Sequence, residues 1–163
     1  MKRLLALATT AAAIAAALVV PTSALASTSQ VSAFGCFNNG GQASVPAGNE
    51  IVVRQGILSK TRGLTQDFLN AQTSMVSVNG GALDDVSSDW TDPAAVSNGW
   101  LTVLLDPTGI ALASGQSMTF HLTISVSHLL LDGLSFENGV SGKPAFFGPG
   151  LVADLGVCTV TGV

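Results

Sequence analysis

The chain has 163 residues, 47% hydrophobic and 10% charged, with a formal net charge of −4. The acidic balance argues against a nucleic-acid or anionic-lipid binder, because phosphates are held by clustered Lys and Arg. With two cysteines and two histidines, there is little material for a zinc centre, whose ligands come at short spacings.

Lys2 and Arg3 precede an apolar run from Leu4 to Val20, Pro21 breaks it, and Ala24-Leu25-Ala26 follows. This is the basic, apolar and small-x-small order of a signal peptide, so residues 1–26 are expected to be removed after Ala26. The run is shorter than the roughly 20 residues of a membrane span. The expected product is secreted and extracellular (periplasmic if the source has an outer membrane), with no membrane anchor after cleavage. Ser27 to Val163 then forms one domain. Its cations are Arg54, Lys60, Arg62 and Lys143 against ten acids, a mature net charge of −6. In an oxidising compartment, Cys36 and Cys158 are expected to form a disulfide.

Short apolar runs between turn signals imply an all-β domain. Ser27 to Phe34 reads as a flexible start, followed by turns at Asn38-Asn39-Gly40-Gly41 and Pro46-Ala47-Gly48-Asn49. Glu50 to Leu58 reads as a strand. Thr65 to Gln72 is the one helical stretch, with Thr65 as its cap and Leu64 and Phe68 on one face. A strand from Ser74 to Val78 closes on Asn79-Gly80-Gly81, a strong turn signal. Asp84 to Pro93 is an acidic loop. A strand from Gly99 to Leu105 ends at Asp106-Pro107-Thr108-Gly109. From Gln116 to Ser127, Met118, Phe120, Leu122, Ile124 and Val126 alternate with Thr119, His121, Thr123 and Ser125. Period two over this length predicts a half-buried strand with one wet, hydroxyl-rich face. Leu151 to Val160 is the last strand.

Six or seven such strands with regular turns predict a single-domain antiparallel β-sandwich of immunoglobulin-like type, with a jelly roll or small β-barrel as the alternative. The pattern resembles small secreted bacterial sandwiches of that type in architecture alone, and the Ala-rich leader fits a bacterial source.

Chemistry-bearing signals are few. Asp84, Asp85, Asp89 and Asp92 supply hard oxygen ligands, but without the alternating spacing of a calcium loop, so a solvated loop is expected. His121 and His128 lie seven apart and would point to opposite faces of a straight strand. His121 is expected to be an exposed strand residue and His128 to fall on the apolar side near the strand end. Nucleophile elbows, zinc-protease and phosphate-loop motifs are absent. Trp100 reads as core. Trp90, Phe146 and Phe147 are the candidate contact patch. The function expected is that of a secreted, non-catalytic binding or structural module, needing no cofactor, with an extracellular protein or glycan as partner. A small hydrolase assembled across loops, or a calcium-dependent adhesion module, is the alternative.

Overall fold

The computed structural model describes residues 27–134, 149–150 and 153–163, with the backbone alone at 136–137, 140–141, 146–147 and 151–152. The leader and its cleavage site lie outside the described residues. The chain opens with β1 (Thr28–Ser32), α1 (Ala33–Asn38), β2 (Gln42–Val45) and β3 (Glu50–Ser59). Then come α2 (Arg62–Ala71), β4 (Gln72–Val78), β5 (Leu83–Asp85), a 3-10 turn (Ser87–Asp89) and β6 (Ala94–Val96). The long strands β7 (Gly99–Ala111) and β8 (Ser117–Val126) follow. Four two-residue strands precede the last: β9 (Leu130–Leu131), β10 (Phe136–Glu137), β11 (Val140–Ser141) and β12 (Phe146–Phe147). The last strand is β13 (Gly150–Gly162).

The fold is mostly β, in two principal mixed sheets of order β1-β3-β7-β6 and β2-β13-β8-β4-β5. Pairing is antiparallel except at two places: β1 runs parallel to β3 and β2 runs parallel to β13. The expectation of purely antiparallel sheets is corrected there. The segment before Glu50 threads along both sheets rather than forming hairpins. The supposed flexible start is therefore a paired strand, running from Thr28↔Glu50 to Ser32↔Arg54.

β8 shows why the core forms. Its inward Met118, Phe120, Leu122, Ile124 and Val126 are all buried, and the alternate residues are not. These side chains join Val31, Ile51, Val53 and Leu104 of the other sheet in one core cluster. Burying a Leu, Ile or Phe contributes about 1.5–3 kcal/mol, so this one face supplies a large part of the driving force.

Two boundaries differ from expectation by three residues or more. β7 runs on through Pro107 to Ala111, because the ladder to β3 slips between Glu50 and Val52. In that irregularity Thr108 Oγ1 donates to Ile51 O (2.8 Å) and accepts from Ile110 N (3.2 Å), while Gly109 takes a φ of +67°. A bulge thus accommodates a Pro and a Gly that would stop a regular strand. Helix α2 starts at Arg62, capped by Thr61, whose Oγ1 accepts from Leu64 N (3.4 Å). Thr65 is instead fully buried and lies within hydrogen-bond reach of Thr61 O and Trp100 O.

Candidate functional site

Helix α1 occupies the crossing from one sheet to the other. Ser32 caps it, accepting from Gly35 N through Oγ (3.0 Å). A six-residue helix containing Gly cannot hold itself together by propensity. It is held by Ala33 and Cys36, both buried, and by the Cys36–Cys158 disulfide to β13, with Cα atoms 5.9 Å apart. That geometry is ordinary for such a bond. With Ala33 and Cys36 turned in, Phe34 and Phe37 project outward three residues apart, 54% and 53% exposed. Val157 of β13 is 57% exposed, and the Phe37 ring lies beside Gly156. Sequence reading missed this patch. Two aromatics flanking a cysteine in a Gly-rich segment were the available signal.

Beneath Phe34 lies an apolar slot of about 330 Å³ between the sheets, lined by Gln55, Gly56, Ile57, Phe68, Ile124, Ala153 and Leu155. It exists because the covering strands are short. β1 accompanies β3 only as far as Arg54, and β2 accompanies β13 only over Thr159 to Gly162. Beyond those points, among the described residues, the facing edges of β3 and β13 carry no neighbouring strand. The slot volume is at the lower end of that of ligand pockets.

The predicted contact residues lie elsewhere. Trp90 is 9% exposed, a correction to its reading as a contact residue. Its ring meets Phe68 edge-on at 5.0 Å, and its Nε1 donates to Ser74 Oγ (3.0 Å). The polar stretch around Trp90 concealed that its backbone bridges Leu104, which carries the indole inward. Trp100 is only half-buried, at the end of β7, with the Arg62 guanidinium 5.8 Å from its ring centroid. The backbone at Phe146 and Phe147 pairs with β9, and the side chains lie outside the described residues.

The acidic stretch is more structured than a loop. It contains β5 and the 3-10 turn. Hydrogen bonds from Ser87 hold the Asp85 carboxyl below its ordinary value. Asp106 is pushed up, by burial first and then by the charges of Asp89 and Asp84. Asp92 lies just beyond Trp90, before β6. Among the described residues, no group of three or more His, Cys, Asp or Glu side chains is arranged to hold a metal ion.

Both histidines meet carboxylates. His121 Nε2 lies 2.6 Å from Asp154 Oδ1, which also accepts from Gly156 N (2.9 Å). The bond from His121 and then that from Gly156 hold the Asp154 carboxyl below its ordinary value. Ser77 stands across the ladder from His121 and shares with it a hollow of about 200 Å³. β8 ends at Val126, so strand parity does not extend to His128, which is exposed rather than on the apolar side. Its Nε2 lies 3.2 Å from Asp67 Oδ1 of α2, and its Nδ1 lies 3.2 Å from Ser127 Oγ.

No helix among the described residues is long and apolar enough to cross a membrane. Comparison with protein families, curated proteins and solved structures finds no match to this chain.

Proposed function

We propose that the chain is a secreted, non-catalytic binding module built on an immunoglobulin-like sandwich, and that it binds an extracellular protein through the α1 face. Strand order supports the architecture. Taking β1 and β2 as a split first strand, the sheets correspond to the A-B-E-D and A′-G-F-C-C′ orders of that fold. The leader and the disulfide support export. The observation that carries the binding reading is the exposed pair Phe34 and Phe37, fixed by a buried disulfide above an apolar slot. Rigid aromatics over a pocket are the usual anchors of protein interfaces. A glycan platform would surround its rings with hydrogen-bonding side chains, whereas the slot beneath Phe34 is lined mainly by apolar ones.

The test is photo-crosslinking of exported protein carrying a photoreactive residue in place of Phe37. A discrete adduct is expected, lost when Phe34 becomes Ser. No adduct from position 37, with one from the opposite flank at Val96, would overturn the assignment.

One set of contacts favours the hydrolase alternative. Asp67, His128 and Ser127 form a carboxylate–imidazole–hydroxyl chain, the arrangement a nucleophilic serine needs. It lies on open surface, with His128 52% and Asp67 47% exposed, where water competes with every contact. Turnover of chromogenic esters that disappears in His128→Ala or His121→Ala would establish catalysis. Equal background rates in all three proteins support the binding reading.

A further inference from the structure

Among the described residues, one edge of β3 carries no neighbouring strand beyond Arg54, and that edge says what kind of partner the slot takes. The unaccompanied stretch, Gln55 to Ser59, is bounded on both sides. β1 pairing ends at Arg54, and beyond Ser59 the Lys60 N–H donates to Asp132 O (2.7 Å). The window is five residues long, room for about 17 Å of extended chain. Gly56 in this window is exposed, and a strand edge without a neighbour is a template for strand addition. The Gly56 carbonyl accepts from the Gln55 side-chain amide (3.2 Å), and Gln55 Oε1 accepts from Phe34 N (3.1 Å). Gln55 is thus a placeholder, whose bond to Gly56 an incoming N–H would replace. A small apolar ligand would fill the slot and leave the edge unpaired. An extended peptide satisfies both, with main-chain bonds along β3 and alternate side chains in the slot.

Charge narrows the choice further. Arg54 and Lys60 stand at the two ends of the window and Arg62 opens α2, with no acidic residue between Ile51 and Gln66. Among the described residues the only ion pairs are the two histidine–aspartate contacts, so these cations form none. On the opposite lip, Asp154 is engaged by His121 and Gly156. A second copy paired through the same edge about Ile57 would place Arg54 opposite Lys60, and like charges directly opposed destabilise a strand pair. We infer that the slot is a strand-acceptor site for an extended segment of another protein, apolar at alternate central positions and acidic at both ends. This rests on the binding-module reading and names its partner class.

The probe is a labelled nine-residue peptide with alternating Val and Thr at its centre and two Glu at each end. It is compared with a version ending in Lys and with one N-methylated at alternate amides. Fluorescence anisotropy on the full exported protein should show the Glu-ended peptide binding about tenfold or more tighter than either control. Hydrogen exchange should slow at residues 56–59. The surface variant Arg54→Glu/Lys60→Glu should reverse the preference between Glu and Lys ends. Leu155→Lys, checked for its disulfide and melting temperature, should abolish binding. Equal binding of all three peptides, no binding at millimolar concentration, or dimerisation through this edge without peptide would each refute strand addition. Crosslinking at Phe37 could still succeed in those cases, which separates failure of this inference from failure of the binding reading.

Discussion

The two flanks of the two-sheet body are closed by different means, and among the described residues only one is closed along its length. On the β5–β6 flank the chain crosses between sheets at residues 86–93 and bonds to both. Val86 N donates to Ser74 O (2.9 Å) and Thr91 N to Val103 O (2.8 Å). Trp90 fills the space between, and Ser74, Gln72 and Ser87 form a fully satisfied polar network around it. On the β1–β2 flank the crossing is α1, pinned by one disulfide, and the remainder is the open slot. Backbone bonding to both sheets closes a flank, whereas a covalent pin closes only its immediate vicinity.

The largest expected effect comes from breaking the pin. The bond closes a loop with a sequence separation of 122. On the chain-entropy account, Cys36→Ser/Cys158→Ser should cost about 5 kcal/mol, read by urea denaturation. Amide protection should be lost first in β1, α1 and β2. Uniform loss that included residues 86–93 would show that the flanks do not behave independently.

Next is the plug of the closed flank. Trp90→Ala should cost about 3–5 kcal/mol by leaving a cavity against Phe68. Trp90→Phe keeps most of the volume but removes the donor to Ser74 Oγ, which still contacts Gln72, and should cost about 1 kcal/mol. Comparable losses in the two variants would mean that the network outweighs the packing.

Two aspartates sharpen the comparison through pH. Asp106, near Asp89 and Asp84, has a raised pKa, so the folded state binds its proton more tightly than the unfolded chain. Its contribution to stability is lost as pH rises from the ordinary 3.8 through the raised value. Asp106→Asn should therefore raise the melting temperature at pH 7 and leave it unchanged below 3.8. Asp154, in β13 beside the open flank, has a lowered pKa. It stabilises above 3.8, and that contribution is lost as pH falls through the lowered value, so Asp154→Asn should lower the melting temperature slightly at pH 7. Thermal melts at the two pH values test both signs.

The smallest stability effect is expected at the patch itself. Phe34→Ser and Phe37→Ser should each cost about 1 kcal/mol or less by thermal denaturation, because both rings are half in water already. A cost of several kcal/mol would identify them as structural cover for the slot rather than as a contact surface.

Some of this was legible in the sequence because it is written locally. The alternation from Met118 to Val126 encodes β8 and its faces, and Asn79-Gly80 encodes the turn after β4, where both residues take positive φ. The pairing of the two cysteines needed only an even count and the expectation of an oxidising compartment. What was not legible depends on distant partners. No local pattern reports that β1 and β2 run parallel to β3 and β13. Pro107 reads as a stop until the slip opposite Glu50 and Val52 accommodates it. Ala-Phe-Gly-Cys-Phe-Asn has no helical periodicity to detect, because a cross-link and a cap hold it. The patch was hidden for the same reason, since an aromatic is exposed or buried according to what its helix rests on.

The position of β13 has a consequence for the order of assembly. It is the last of the described strands to be synthesised, yet it lies inside its sheet, between β2 and β8. A nascent chain emerging from a ribosome or a translocation channel therefore cannot complete this domain progressively. Until residues 150–162 arrive, β8 presents an alternating apolar strand with one edge bare, and Cys36 has no thiol to meet. The half-made molecule must stay soluble while carrying that apolar face, so its yield during biogenesis should depend on whatever shields β8 in that interval.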